Sequence, residues 1–310
     1  MIGDAAELVA GVSPVLEVPF DDAGHVDFTS FDRLVAHLLA TGISSAMFPG
    51  FASEFYKLSD RERSQLREHF LAQTRSLDTV AAIISITEHA TELAKAGAVT
   101  AVEAGADVIN LLPPHLLSPG RDAVLDHVRA VLAAVAPVPV VLQYAPAQTG
   151  ISLDANSIAS LARAHPNLRL VKVESALPGA LIEELRNGTP PLRALVGYGG
   201  LEMIDGVNHG AIGVQPGCSF VEIYLEIWGR IQRSDVPGAR ALHGELLKYI
   251  SHWMQSVELI IAAEKTISVR RGLINSAHCR APSHPLDRHE MRIIDEFLSE
   301  FAELLPPPSS

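Results

Sequence analysis

The residues best suited to chemistry are a lysine and a tyrosine set in apolar runs. Lys172 interrupts "LRLVKVE" (168–174), which otherwise reads as a buried strand. An unpaired ammonium there would cost several kcal/mol unless the group shed its proton. Two readings are open. Lys172 can be a barrel lysine held by Glu174, since side chains two apart on a strand point the same way. It can also be an imine-forming nucleophile, because desolvation lowers a lysine's pKa and leaves a free amine able to attack a carbonyl. Tyr144 lies 28 residues earlier, one strand plus one crossover helix. That spacing predicts that the two groups project from neighbouring strands toward the same mouth. A tyrosine at a strand end can simply be a packed ring with a satisfied hydroxyl. Beside an imine lysine, it can also give and take protons.

The elements that must position these residues alternate along most of the chain. "VSPVLEVPF" (12–20), "SSAMFPG", "TVAAIISI", "ADVINLLPP", "VPVVLQYAP", "LRLVKVE", "LRALVGY" and "AIGVQPG" read as strands, each followed by a helical pattern, which makes eight strand-then-helix units. Ser59 and Glu62 have capping-box spacing at the head of the second helix. Near-continuously apolar strands imply a parallel sheet covered on both faces. Eight units, with no Gly-x-Gly-x-x-Gly after the first strand, favour a (β/α)8 TIM barrel over an open doubly wound sheet. The barrel is expected over residues 1–235 and a C-terminal helical extension over 236–310. In that extension, residues 239–274 read as one long amphipathic helical stretch, 287–305 as the closing helix, and the tail "PPPSS" as frayed.

Composition excludes several functions. The chain has 24 basic against 36 acidic residues, a formal charge of −12, with no Lys/Arg cluster. Such a surface repels nucleic acid and anionic lipid. No leader pattern and no membrane-length apolar run is present, so a soluble cytoplasmic protein is expected. The two cysteines, Cys218 and Cys279, suggest no disulfide framework.

Barrel active sites lie at the C-terminal strand ends. Those ends carry "PGFASEF" (49–55), "LLPPHLL" (111–117), "LQYAPAQTG" (142–150), "LVKVES" (170–175), "VGYGG" (196–200) and "GVQPG" (213–217). His115 in the second of these could serve as acid or base, or be a solvent-exposed loop histidine. The "GG" at 199–200 lets the backbone approach the mouth or ends the strand. The spacings in "HCRAPSHPLDRH" fit no standard zinc pattern, so no metal is expected. Glu54 is read as ordering its loop or partnering a helix N-terminus, and Lys265 as snorkelling from a helix.

The succession "VSPVLEVPFDDAGHVDFTSFDRLVAHLLATGI", "PGFASEFYKLSDRER", "LQYAPAQTGISL", "LRLVKVE" and "GAIGVQPG" resembles the dihydrodipicolinate synthase and N-acetylneuraminate lyase superfamily, over about residues 11–300. The resemblance implies a class I, Schiff-base-forming enzyme. Lys172 would form the imine with a 2-keto acid and Tyr144 would shuttle protons. Gly50 to Glu54 occupy the place of a Gly-Thr-Thr-Gly-Glu loop that holds the keto acid's carboxylate. Phe51 and Ala52 replace its two hydroxyl residues, which leaves Ser53 and backbone N–H groups as the grip. The relay's second tyrosine falls near Pro114 and His115, so that relay looks absent. Gln148 stands where the synthases carry a carboxylate-binding arginine, and an amide cannot replace a bidentate guanidinium. "LLPPHLL" is similar to the "LLPPYL" of sugar-acid dehydratases.

The expected function is therefore a lyase, aldolase or dehydratase, acting on a small-molecule 2-keto acid such as a 2-keto-3-deoxy sugar acid or a 4-hydroxy-2-keto acid. It needs no metal or organic cofactor. The resemblance also implies a homo-oligomer, tetramer or dimer. Phe51, Ala52, Ser53, His115, Gln148 and Val214 are the expected substrate-binding residues. Two alternatives stay open: a synthase-like condensation from pyruvate, and a non-catalytic keto-acid sensor.

Overall fold

In the computed structural model, residues 5–117, 119–150 and 152–306 are described. The tail expected to fray lies outside them from Pro307 onward. Eight parallel strands form one sheet: β1 (Gly11–Val12), β2 (Ser45–Phe48), β3 (Ala81–Ile86), β4 (Val108–Leu111), β5 (Val140–Tyr144), β6 (Leu168–Val173), β7 (Arg193–Val196) and β8 (Gly213–Val214). Their order is β1-β8-β7-β6-β5-β4-β3-β2. Consecutive strands from β2 to β8 pair, and β1 pairs with β8, so the sheet closes except at one seam between β1 and β2. This is the (β/α)8 barrel that the alternation predicts. β2, β3 and β4 are buried at every residue, as befits strands covered on both faces.

The helices are α1 (Ala5–Leu8), α2 (Phe28–Ala40), α3 (Asp60–Thr74), α4 (Thr91–Glu103), α5 (Arg121–Val135), α6 (Pro146–Thr149), α7 (Ala155–Ala164), α8 (Pro178–Asn187), α9 (Met203–Asn208), α10 (Val221–Gln232), α11 (Val236–Trp253), α12 (Val257–Arg270) and α13 (Arg288–Glu300). Sequence signals account for several of their ends. The Asp27 side chain accepts from Ser30 N to cap α2. At α3, Ser59 N donates to Glu62 Oε2 at 2.9 Å, and Glu62 N to Ser59 Oγ at 3.3 Å, the predicted capping box. Among the described residues, no helix is long and apolar enough to cross a membrane.

Contacts divide the chain into two compact units, Met1–Ser13 with Ser44–Met47 and Thr74–Gln215, and Pro14–Ile43 with Phe48–Gln73 and Pro216–Ser310. The first holds the sheet apart from Phe48. In the second, Phe220, Tyr249, Trp253 and Phe297 form an aromatic cluster with ring centroids 5.1 to 6.3 Å apart, joining α11 to α13.

Two expectations are corrected. The strand read over 12–20 joins the ladder only at Gly11–Val12, followed by a single bridge from Val15 to Gly217. Pro14 and Pro19 have no N–H, so only alternate groups of the stretch donate, those of Gly11, Ser13 and Val15, to Ile212 O, Val214 O and Pro216 O. The long helical stretch 239–274 breaks into α11 and α12, because Ser256 is extended (φ −147°, ψ 139°). Ser256 before Glu258 is a start signal, but an apolar period that continues across the break conceals it.

Candidate active site

Which face of β6 carries Lys172 follows from register. Val173 stands abreast of Val196 on β7, and a Cβ added at Gly206 of α9 would collide with the Val196 side chain. The Val173–Val196 face is therefore the one turned to the helices. Residues one step away point to the barrel interior, and these include Lys172, abreast of Leu195 on β7 and of Gln143 on β5. Lys172 is only 3% exposed.

The interior face carries a chain of polar side chains across four strands. Lys172 Nζ lies 3.2 Å from Glu174 Oε1. Gln143 Nε2 donates to Glu174 Oε2 at 2.6 Å, and the backbone N–H of Tyr198 donates to Oε1 at 3.2 Å. Asn110 Nδ2 donates to Gln143 Oε1 at 2.9 Å and to Ser85 Oγ at 2.8 Å. All of these side chains are buried except that of Tyr198, which takes part through its main chain. Burial strengthens each bond, and each leaves a costly orphan if broken. Gly197 gives the chain its room. An added Cβ would overlap Glu174 Cγ and come within 2.8 Å of Lys172 Cε. Beyond it, Gly199 and Gly200 take φ of 63° and 72°, so here the glycine pair is demanded by left-handed backbone.

Register also bears on the expected constellation. Tyr144 stands abreast of Val173, and Gln143 abreast of Lys172, on the neighbouring strands that the spacing predicts. The Tyr144 hydroxyl meets Ser152 Oγ at 3.2 Å. A spacing of one strand plus one helix fixes neighbouring strands but not parity, and one residue of slip exchanges the faces. Parity corrects Val214. It pairs with Val196, is fully buried, and shares the helix-facing side. His115 follows β4, half-buried, with its ring 6.5 Å from that of His89 and no partner for Nδ1 among the described residues. Burial first, then the neighbouring His89, holds its pKa below the usual imidazole value, against a backbone hydrogen bond at Pro113 that raises it. Gln148 lies in α6, and its buried Oε1 has no partner among the described residues.

In the other unit, the segment expected to grip a carboxylate is two 3₁₀ turns, Phe51–Ser53 and Phe55–Lys57, joined by Glu54 in the left-handed region at φ 51°. The Phe51 ring packs on Phe55 at 5.5 Å, and Ala52 is half-buried. The Ser53 hydroxyl donates to Leu16 O and accepts from Gly50 N at 2.9 Å. It holds the turn together.

Glu54 is fully buried between two lysines, with Lys57 Nζ 3.0 Å from Oε2 and Lys265 Nζ on Oε1. Lys265 does not snorkel. It is fully buried, donates also to His278 O at 3.0 Å, and sits 4.2 Å from the Phe20 ring centroid. A helix pattern marks where a lysine starts, but only packing decides whether its head reaches water. Lys57 loses charge stability to burial, yet its hydrogen bonds to Glu258 and Glu54 outweigh this and raise its pKa.

Two further acids lie deep in this unit. Burial raises the Glu17 carboxyl, and neither of its oxygens has a partner among the described residues. Burial, then the charge of Glu17, pushes the Glu264 carboxyl up to about 8. The native state therefore binds more protons than the unfolded chain between about pH 4.5 and 8, and stability falls as pH rises through that window, by up to about 1.4 kcal/mol per pH unit from Glu264. Glu264→Gln should flatten the decline. Urea midpoints at pH 5 and pH 8 measure it, and equal slopes in parent and variant would remove Glu264 as the cause.

The features that sequence reasoning missed, or had only as a bland partner, are Gln143, Asn110, Ser85 and Glu174. Counting by twos from Lys172 gives Glu174, but the others need cross-strand register.

Comparison with known proteins agrees with the barrel. A model of the Dihydrodipicolinate synthetase family matches residues 8–300. An N-acetylneuraminate lyase of Citrobacter koseri is 27% identical over 91% of this chain and 93% of its own. An L-2-keto-3-deoxyarabonate dehydratase of Azospirillum brasilense is 26% identical over 92% and 93%. A crystal structure of dihydrodipicolinate synthase from Rhodopseudomonas palustris superposes with a TM-score of 0.86 at 23% identity, covering 94% of this chain and 97% of that one, and so shares the fold. With a family match that spans nearly all of its length, this chain belongs to the dihydrodipicolinate synthetase family.

Proposed function

We propose that the chain is a Schiff-base-forming lyase that cleaves or dehydrates a hydroxylated 2-keto acid, with Lys172 as the amine. One observation carries this reading: a lysine buried on the interior face of a family barrel, abreast of a polar side chain and in contact with a carboxylate that can exchange protons with it. Attack by the amine converts the keto group to an imine, an electron sink that lowers the cost of the carbanion formed next to it. The relatives named a lyase and a keto-deoxy-sugar-acid dehydratase favour cleavage or dehydration.

Gln148 Oε1 and Asn110 Oδ1 are buried acceptors without partners among the described residues. Such oxygens suit hydroxyl donors and repel a second carboxylate, which argues against synthase-like condensation. His115 belongs to the same proposal as a residue that touches the substrate's tail. The carboxylate role of Phe51, Ala52 and Ser53 rests on likeness of sequence alone. Assembly as a homo-oligomer and residence in the cytoplasm rest on family membership.

The test is chemical trapping. The protein is incubated with pyruvate and with 2-keto-3-deoxy sugar acids, reduced with borohydride, digested and weighed. An adduct on the peptide that holds Lys172 is expected. No adduct with any keto acid, or an adduct only on another lysine, defeats the reading. An adduct without turnover on any of them would return the sensor alternative.

A further inference from the structure

We propose that Asn110, with Ser85 behind it, is a positioning residue of the lysine site: it fixes the Gln143 amide, which in turn fixes the Glu174 carboxylate against the Lys172 nitrogen. This rests on the reading of Lys172 as the imine-forming amine and deepens it.

Branched apolar side chains usually fill the interior of such a barrel. Here four adjacent strands, β3 to β6, carry Ser85, Asn110, Gln143 and Lys172, with Glu174 just past the end of β6, and all five are buried. Their bonds have a direction. Asn110 Nδ2 spends both its hydrogens, one on Ser85 Oγ at 2.8 Å and one on Gln143 Oε1 at 2.9 Å. With its oxygen claimed, Gln143 turns Nε2 to Glu174 Oε2 at 2.6 Å. A flipped Gln143 amide would set its NH2 against that of Asn110 and its oxygen against the carboxylate, leaving buried groups unpaired at both ends. Ser85 anchors the far end, because without its acceptor one Asn110 N–H has no place in the ladder and the amide is free to turn. At the near end, Tyr198 N donates at 3.2 Å to Glu174 Oε1, the oxygen that lies 3.2 Å from Lys172 Nζ.

Leucines at 110 and 143 would fill this space with no polar group to satisfy. What the ladder adds is a single orientation for the carboxylate, and through it for the nitrogen. Lys172 ends a flexible four-carbon stem, and a reacting atom misplaced by about 1 Å can cost about 10²-fold in rate. The nitrogen is cationic as an ammonium and again as a protonated imine, so a fixed carboxylate holds it in both states. Asn110 and Ser85 act on the amine through Gln143 and Glu174, from one and two strands beyond Gln143.

Exchange of pyruvate's methyl protons in D2O, followed by NMR, tests this. It reports enamine formation, and pyruvate has no hydroxylated tail that could lose a contact with Asn110. Rates are scaled to the Lys172 that borohydride traps, so a loss of folded protein does not imitate the effect. Asn110→Leu should lower kcat for exchange by about 10-fold or more while KM for pyruvate stays within about 3-fold. Coupling separates positioning from mere structure. Added to Gln143→Met, which already cuts the ladder, Asn110→Leu should slow exchange by less than about 2-fold, because residues that act through one another are not additive. If Asn110→Leu does not fold, Ser85→Ala takes its place, with a fall of about 5-fold in kcat and the same coupling expected. Exchange within about 2-fold of the parent in the variant used, or an equal loss in the parent and in Gln143→Met, overturns the proposal. Absence of both adduct and exchange in the parent is a different outcome: it defeats the lysine reading, and the proposal with it.

Discussion

Replacing Lys172 with methionine is expected to abolish the borohydride-trapped adduct and to lower turnover of any keto-acid substrate by about 10⁴-fold or more, the scale on which removal of a covalent nucleophile is felt. Methionine fills much of the lysine's volume, so the interior does not collapse, but Glu174 loses the cation beside it. Its bonds from Gln143 and the Tyr198 main chain remain, which limits the damage. The paired change Lys172→Met with Glu174→Gln controls for a buried, uncompensated charge. Both variants should fold and both should be inert. Activity in folded Lys172→Met within about 10-fold of the parent would show that the chemistry runs through some other group.

The second large effect concerns stability. Lys265→Met should destabilise the protein by about 3–5 kcal/mol, the range for removing one member of a buried ion pair. Glu54 and Lys265 are both fully buried, and Lys265 also counters the charge of Glu17. Lys57 remains on Glu54 through Oε2. Glu54 must in addition hold its left-handed φ of 51°, a conformation that the surrounding contacts support. Adding Glu54→Gln to Lys265→Met should recover a large part of the loss. Urea denaturation measures both. A loss below about 1 kcal/mol in the single variant would mean that the charges reach water or another partner.

The alternation of apolar runs and helical patterns was legible because strand and helix impose different side-chain periods, and each period acts locally. The capping box of Ser59 and Glu62 and the glycine pair at 199–200 were legible for the same reason, since each answers to its own backbone. Lys172 stood out because a charge in an apolar strand is costly wherever that strand goes. Tyr144 was placed on the strand beside the lysine by spacing, and spacing carries no information about which way a side chain faces across a ladder.

The sequence by itself determined the barrel, its eight strands and the lysine proposed as the imine-forming amine, because hydrophobic period and the cost of a buried charge are written residue by residue. Only the tertiary structure decided that Gln143 stands abreast of Lys172, and that Val214 faces the helices. It alone paired Lys265 with Glu54, 211 positions apart. Register and burial are properties of how strands and helices meet. A slip of one residue would reverse every face, and no local pattern records which alignment buries the most apolar surface.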